Sequence, residues 1–377
     1  MQKQNYIWLD LLRGFAALVV LLGHSSLLML KPFAEVKQNI NILYKIFVFV
    51  AGMGYQFVMV FFVLSGFFIV GSIHKSLKQG SFSFIEYYTS RLSRLWMVLI
   101  PALFLGFILD KIGSTYLALA PYYSNAIESA KNIPFNSELD IKTFLGNMFF
   151  LQSFSCKYFG SNVSLWSLSF EWWFYVIIPF LLLFIMRYNN KKNLLYFSFI
   201  TLLIVVLIYN NINFLPLFMI WLIGGLCYFL NLKISNLQFK YLHLLIAILL
   251  FVVIMSVCRL QLISLQVCQI LIGLSCAYLI IILTRIPIPK QKDMVGGIHF
   301  LSKISFTLYA VHFPVVVLVS SSLGFFNLYP DAISLSKYFS VIVFTILLAY
   351  VLWYIFERNT YLLKNSMVKT LNKIINQ

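Results

Sequence analysis

Residues 46–71 read IFVFVAGMGYQFVMVFFVLSGFFIVG and contain no charged side chain. A run of about 20 apolar residues is long enough for a helix to cross the hydrocarbon core of a bilayer. Similar apolar segments lie near residues 10–30, 95–111, 165–187, 194–209, 214–231, 242–258, 264–284, 303–323 and 337–357. Residues 144–154 are also apolar but too short to cross, so we expect a re-entrant or interfacial piece there. The sequence therefore predicts an all-α polytopic membrane protein with about ten transmembrane helices.

The composition supports the same fold class. Of the 377 residues, 61% are hydrophobic and only 10% are charged, whereas a soluble domain carries about 25% charged residues. We therefore predict one transmembrane domain over residues 1–360 and a basic cytoplasmic tail over residues 361–377. The five cysteines show no paired spacing and fall mostly within apolar segments. This pattern indicates packing, and neither a disulfide nor a metal site is predicted.

The net charge of +17 is better explained by topology than by nucleic-acid binding, so no nucleic-acid partner is expected. Lysine and arginine concentrate in the cytoplasmic loops of membrane proteins. With ten spans, the even-numbered connections and the segment after the last span carry most of the basic residues, which places both termini in the cytoplasm. Among these residues are Lys75, Lys78, Arg91, Arg94, Arg187, Lys191, Lys192, Lys233, Lys240, Arg285, Lys292, Arg358 and Lys364.

Ionisable residues at bilayer depth are the informative ones, because each costs several kcal/mol unless it is paired or hydrated. The first span contains Arg13 and His24, eleven positions apart. On a helix this spacing puts both side chains on one face, separated by about 16 Å along the axis. We predict that Arg13, nearer the cytoplasm, and His24, deeper in the membrane, line a path for an anionic cofactor. The alternative is that Arg13 extends to the interface and that His24 hydrogen-bonds a neighbouring helix.

Two further features adjoin the second span. Ser65 and Gly66 are small residues that permit close helix approach. Arg91 and Arg94 precede the third span on its cytoplasmic side. Residues three apart share a helix face, so the two guanidinium groups can bind phosphate oxygens together. Charges that merely set topology are the alternative explanation.

The fourth span opens with Trp166-Ser-Leu-Ser-Phe-Glu171-Trp172-Trp173. Tryptophans at this depth commonly form an interfacial belt, but their ring faces can also stack on a sugar. A carboxylate among them requires a partner, and His24 is expected in the same leaflet. A carboxylate that orients a histidine supports general-base catalysis. We therefore predict Glu171 as a catalytic group and Trp166 and Trp172 as substrate contacts.

The ninth span contains Ser305-Phe-Thr-Leu-Tyr309-Ala-Val-His312-Phe-Pro314. Tyr309 and His312 are three positions apart and share a helix face. We predict both as further substrate contacts. A histidine that only hydrogen-bonds a neighbouring helix is the alternative for His312.

Taken together, these segments resemble the acyltransferase-3 family of bacterial membrane acyltransferases. The matching features are Arg13 with His24, the stretch FVLSGF at residues 62–67, Arg91-Leu-Ser-Arg94-Leu, Trp166-Ser-Leu-Ser-Phe-Glu171 and the ninth-span motif from Ser305 to Pro314. They occur in the family's order over essentially the whole chain. The resemblance implies a multi-pass protein of the bacterial cytoplasmic (inner) membrane, embedded in its lipid.

The resemblance also implies transfer of an acyl group, usually acetyl from acetyl-CoA, to a hydroxyl of a cell-surface or exported glycan. Arg13, Arg91 and Arg94 would then hold the phosphates of acetyl-CoA, and no metal is implied. His24 would act as general base on the acceptor hydroxyl, or alternatively carry the acyl group as a transient acyl-histidine. Glu171 would orient His24 or bind the acceptor.

Two other function classes remain open at this stage. A transporter or flippase for a glycan or lipid-linked intermediate also needs charged residues along a path through the bilayer. The sequence shows no paired halves with matching broken segments, which are typical of inverted-repeat transporters. A non-catalytic assembly factor is the third possibility. Coenzyme A binding discriminates between the transferase and the flippase.

Overall fold

A computed structural model describes residues 6–36, 41–124, 138–186, 191–234, 237–289, 291–329 and 331–375. These residues form a bundle of helices and include no β-strand. The helices in chain order are α1 Ile7–Met29, α2 Phe33–Val36, α3 Ile42–Ala51, α4 Gly54–Lys78, α5 Phe84–Tyr116, α6 Ile141–Met148, α7 Trp166–Met186, α8 Lys191–Asn210, α9 Phe214–Lys233, α10 Lys240–Arg259, α11 Leu265–Leu283, α12 Lys292–Leu323, α13 Ala332–Ile355 and α14 Thr360–Ile375.

The prediction of an all-α polytopic membrane protein is confirmed. In the part of the chain that the structure describes, nine helices are long and apolar enough to cross a bilayer, with α13 and α14 counted as one. The predicted segment near 194–209 lies in α8. The side chains of α8 are described only over Phe197–Asn210, a shorter apolar stretch.

The segment 46–71 that decides the fold class is not one helix, contrary to our prediction. α3 ends at Ala51 and α4 begins at Gly54. Glycine has a low helix propensity, and a Cβ on Gly52 would lie 2.3 Å from Nη2 of Arg259. The helix is therefore interrupted at the point where the Arg259 guanidinium, at the end of α10, packs directly on the Gly52 backbone.

Two helices extend well beyond the predicted apolar segments on the arginine-rich side. α12 starts at Lys292 and α5 starts at Phe84, so Arg91 and Arg94 lie inside α5. The start of α5 has a local cause, because Ser83 caps the helix and its Oγ accepts a hydrogen bond from Glu86 N at 3.4 Å. A serine followed three positions later by glutamate is a typical helix start.

The short α6 matches the expected non-spanning piece near residues 144–154. It has 8 residues, and Asp140 caps it by accepting a hydrogen bond from Thr143 N. That backbone hydrogen bond lowers the pKa of the Asp140 carboxyl. At the other end of the chain, the segment predicted as a basic tail forms α14, which packs against α5.

The close approach predicted at Gly66 is confirmed. A Cβ on Gly66 would lie 2.0 Å from the Trp221 carbonyl oxygen of α9, and a Cβ on Gly224 would lie 2.0 Å from the Val63 carbonyl oxygen. α4 and α9 thus touch backbone to backbone. On the other side of the bundle, α1 packs along α12, where a Cβ on Gly14 would lie 2.8 Å from Leu301 Cβ.

We expect Gly66→Ala to lower the free energy of unfolding of the bundle. The loss should be no smaller than the cost of overpacking a core, about 1–3 kcal/mol. The added methyl group would meet α9 backbone, which cannot rotate away as a side chain can. The measurement is the midpoint of thermal unfolding in detergent, followed by size-exclusion chromatography. Gly296→Ala is the matched control, because a Cβ there meets no atom of the described part of the chain within 4 Å. Equal midpoints for the two variants would contradict this account of α4–α9 packing.

Candidate functional site

A cavity of about 660 Å³ lies between α1, α4, α5, α7 and α12. We call it the arginine cavity, because it is lined by all three arginines that the sequence singled out. Of the other predicted residues, Glu171 and Tyr309 also line it. Its main polar lining residues are Asp10, Arg13, Ser65, Arg91, Arg94, Ser167, Glu171, Tyr175, Ser305 and Tyr309.

The three arginines keep hydrogen-bonding capacity for a ligand. The guanidinium of Arg13 lies 3.6 Å from Asp10 Oδ1 and 5.2 Å from the centre of the Phe68 ring. Among the described residues, Arg91 donates one hydrogen bond, from Nη2 to Ser72 Oγ at 3.4 Å, and its buried Nε has no partner there. Arg94 is exposed and makes no hydrogen bond or salt bridge within the described residues. Free guanidinium donors on one helix face suit the oxygens of a phosphate group.

Glu171 lies deeper in the same cavity and accepts two hydrogen bonds on Oε1. One comes from Ser65 Oγ at 2.8 Å, and the other comes from the Tyr175 hydroxyl. Trp221 Nε1 in turn donates to Ser65 Oγ at 3.2 Å. These hydrogen bonds form a network that ends at the Glu171 carboxylate and stabilises its negative charge inside the bundle.

The expected pairing of Glu171 with His24 is corrected by the structure, which gives His24 another partner. His24 Nδ1 lies 2.7 Å from His312 Nε2, and the two rings are nearly parallel at 5°. α1 packs along α12, and this brings the two histidines together although 288 positions separate them in the chain. We call these two residues the histidine pair.

The hydrogen bonds of the histidine pair assign its protons. His312 Nδ1 lies 2.8 Å from the Tyr309 carbonyl oxygen and 3.1 Å from that of Leu308. A carbonyl oxygen only accepts, so His312 Nδ1 carries a hydrogen and its Nε2 is an acceptor in the neutral ring. His24 Nδ1 must then donate to His312 Nε2. The lone pair of the neutral His24 ring is therefore on Nε2, which has no hydrogen bond to any described residue. His24 Nε2 is therefore the atom of the histidine pair that is available to accept a proton as a base.

The histidine pair lies just beyond the arginine cavity. Neither histidine is among the described lining residues, whereas Tyr309, one helical turn before His312, is part of the wall. The Tyr309 hydroxyl contacts Ser167 Oγ and the Ser164 carbonyl oxygen, each at 2.8 Å. Tyr309 thus joins α12 to the start of α7 at the boundary between the cavity and the histidines.

The two predicted tryptophans pack against other aromatic rings and do not line the arginine cavity. Trp166 stacks on Tyr55, with ring centres 6.1 Å apart and planes at 17°. Trp172 stacks on Phe150, with ring centres 5.1 Å apart. Their role as substrate contacts stays a prediction, as does that of His312.

Several site residues escaped the sequence analysis although they carried a signal. Tyr175 is four positions after Glu171 and Asp10 is three before Arg13, so each shares a helix face with a predicted residue. A second cavity of about 360 Å³ adjoins Asp10, Arg13 and Arg94 and contains Glu357, whose Oε2 accepts a hydrogen bond from Thr307 Oγ1 at 2.6 Å. Over the described ranges, no three His, Cys, Asp or Glu side chains group as a metal site would require.

Comparison with known proteins supplies the family. Residues 6–354 match the acyltransferase-3 family model, which is described as an acyltransferase domain. No curated protein and no solved structure matches the chain. The match spans every helix that lines the arginine cavity and both members of the histidine pair. Because it covers nearly the whole chain, the protein belongs to the acyltransferase-3 family and is a multi-pass membrane acyltransferase.

Proposed function

We propose that this protein transfers an acyl group, acetyl in the first instance, from cytoplasmic acyl-CoA to a hydroxyl of a cell-surface or exported glycan. The single observation that carries the proposal is the arginine cavity, which joins Arg13, Arg91 and Arg94 with Glu171 in one space. The proposal places both chain termini in the cytoplasm and the protein in the bacterial inner membrane. Both placements rest on the charge of the connections and on the family.

The donor suits the arginine cavity in charge and in shape. Coenzyme A combines negatively charged phosphates with a narrow pantetheine arm. Arg91 and Arg94 would bind the phosphates through their free donors, together with Arg13 on the facing helix. Glu171 Oε2, which has no hydrogen bond to a described residue, would accept from an amide N–H of the arm. The thioester would then lie at the end of the cavity near Tyr309.

The histidine pair would perform the chemical step. His24 Nε2 takes the proton of the acceptor hydroxyl as that oxygen attacks the thioester carbonyl carbon. The carbon–sulfur bond breaks, and the coenzyme A thiolate leaves and takes up the proton. Throughout the step His24 Nδ1 continues to donate to His312 Nε2, which stabilises the transient imidazolium.

The test of this function uses membranes from cells that express the protein. Acetyl-CoA labelled in the acetyl group is added, and label is measured in the glycan fraction and in released acetate. Label in the glycan, together with coenzyme A binding to the purified protein, is the expected result. Coenzyme A binding without label in any glycan would contradict the proposal that the acceptor is a glycan. Failure of the purified protein to bind coenzyme A would contradict the proposal that the donor is an acyl-CoA.

The histidine pair predicts a graded series at position 312. His312→Ala leaves the His24 N–H without its buried acceptor, a loss of about 1–3 kcal/mol, so we expect kcat to fall by about 5- to 150-fold with the KM for acyl-CoA unchanged. His312→Gln should recover part of the rate, because its amide oxygen can accept the same hydrogen bond. Steady-state kinetics of coenzyme A release checks both variants. A glutamine variant as slow as the alanine variant would show that His312 does not act through this hydrogen bond.

A further inference from the structure

A third cavity, separate from the two described above, lies at the end of the bundle opposite the three arginines. It has a volume of about 360 Å³ and is formed by the first turns of α4 and α11 and by the end of α10. We call it the amide cavity, because Gln56, Gln261 and Gln269 line it together with Tyr55. α4 carries Tyr55 and Gln56 in its first turn and Lys75 and Lys78 in its last turn. The two cavities therefore open toward opposite faces of the membrane in the proposed topology.

The amide cavity contains a buried polar atom without a partner. Gln56 is only 8% exposed, and its Oε1 makes no hydrogen bond to any residue that the structure describes. Gln269 is 2% exposed and donates from Nε2 to the Tyr55 hydroxyl at 2.7 Å. A buried amide oxygen without a donor is costly and rare in native structures. A ligand hydroxyl group in the cavity would supply the missing donor.

The chemistry of the lining favours a neutral ligand rich in hydroxyl groups. An amide both donates and accepts hydrogen bonds, as a hydroxyl group does. The described residues that line the cavity carry no charged side chain, which disfavours a phosphate or an ammonium group. Tyr55 is 40% exposed, and one face of its ring is held against Trp166 by stacking. Amides beside an apolar ring match the alternating polar and apolar faces of a sugar.

The amide cavity is close to the histidine pair but does not adjoin it. The backbone of α1 beside His24 touches the turn before α4, because a Cβ on Gly23 would lie 2.4 Å from the Ala51 carbonyl oxygen and 3.7 Å from Gly54 Cα. Gln56 follows Gly54 by two positions and so projects from the far side of α4. The separation is therefore on the order of one helix diameter, about 10 Å. One sugar ring in the cavity would not reach His24, and only a longer acceptor that passes around α4 would have a ring at each place.

We propose that the amide cavity binds a neutral sugar unit of the acceptor glycan, remote from the unit whose hydroxyl is acylated. This inference rests on the proposed function and makes it more specific. It implies that the acceptor is an oligosaccharide or polysaccharide. Long acceptors should be preferred over single sugars, and this preference should depend on the amides.

The experiment compares acceptors of different length. Surface polysaccharide from the producing cells is de-O-acylated with mild base and cut into single sugars and longer fragments. The kcat/KM for acyl transfer is measured with each, for wild type, for Gln56→Met and for Gln269→Met. Methionine keeps the side-chain volume and removes the amide. Gln79→Met is the matched control, because Gln79 follows the last turn of α4, at the opposite end of that helix.

We expect wild type and Gln79→Met to prefer long fragments, and each cavity variant to lose about fivefold of this preference, the effect of one buried hydrogen bond. A preference that survives in both cavity variants would overturn the sugar site and leave the proposed function intact. Equal losses on single sugars and long fragments would also overturn it. Release of coenzyme A without transfer to any fragment would overturn the proposed function, and this inference with it.

Discussion

Replacing His24 by alanine is expected to lower kcat for acyl transfer by about 10²–10⁴-fold, the usual contribution of a general base. The reason is the proton assignment of the histidine pair, in which the lone pair of His24 Nε2 is free and His312 Nε2 accepts the hydrogen bond from His24 Nδ1. Labelled acetyl-CoA is supplied to membranes with matched amounts of protein, and label in the glycan is followed over time. The affinity for coenzyme A should stay at the wild-type value, because the arginines are untouched.

His243→Ala is the matched control for this variant. His243 is also a membrane histidine hydrogen-bonded to another helix, with Nδ1 2.8 Å from the Tyr278 hydroxyl, but it is remote in sequence from the motifs and does not line the arginine cavity. We expect near wild-type turnover from it. Wild-type turnover by His24→Ala would show that the general base does not lie on the first span. Loss of coenzyme A binding in that variant would instead indicate a structural role for the ring.

The second large effect is expected from the pair of arginines on α5. Replacing Arg91 and Arg94 together by glutamine should raise the KM for acyl-CoA by about 10²-fold or more, since a hydrogen bond to a charged group contributes about 1.5–3 kcal/mol. The kcat at saturating donor should change far less, because neither arginine hydrogen-bonds to the histidine pair within the described residues. Initial rates over a range of acetyl-CoA concentrations separate the two parameters.

Lys75→Gln with Lys78→Gln removes the same charge from the same end of the bundle and is the matched control. Both lysines lie in the last turn of α4 and neither lines the arginine cavity. A rise in KM confined to the arginine variant supports direct phosphate contacts. An equal rise in both variants would mean that general attraction of an anion, and not a built site, explains the effect; that attraction should also weaken at high salt.

The fold was predictable because membrane spans carry a strong local signal. Apolar length alone located the helices, but it did not locate the break at Gly52, where Arg259 of a distant helix packs on the backbone. It also began α5 and α12 too late, because the first turns of both helices are polar. The cap at Ser83 was the readable signal for α5.

The candidate site was predictable within each helix and not between helices. Spacing along α5 placed Arg91 beside Arg94 on one face, and the resemblance to the family grouped Arg13 of α1 with them; all three line one cavity. The partner of His24 depends on how α1 and α12 are rotated and packed, and no local pattern encodes that. Glu171 was therefore assigned to His24 by depth alone, whereas its hydrogen bonds go to Ser65 and Tyr175.

The contact between His24 and His312 has a mechanical consequence. Each ring belongs to a different helix, and one residue of a helix rises about 1.5 Å. A slip of α1 against α12 by a single residue would therefore break their 2.7 Å hydrogen bond while leaving both helices intact. The close contact of the Gly14 backbone with Leu301 at the α1–α12 interface favours that alignment. Turnover should therefore depend on the register of α1 against α12. In bilayers that are thinner or less ordered, we expect turnover to be lost well before the bundle unfolds.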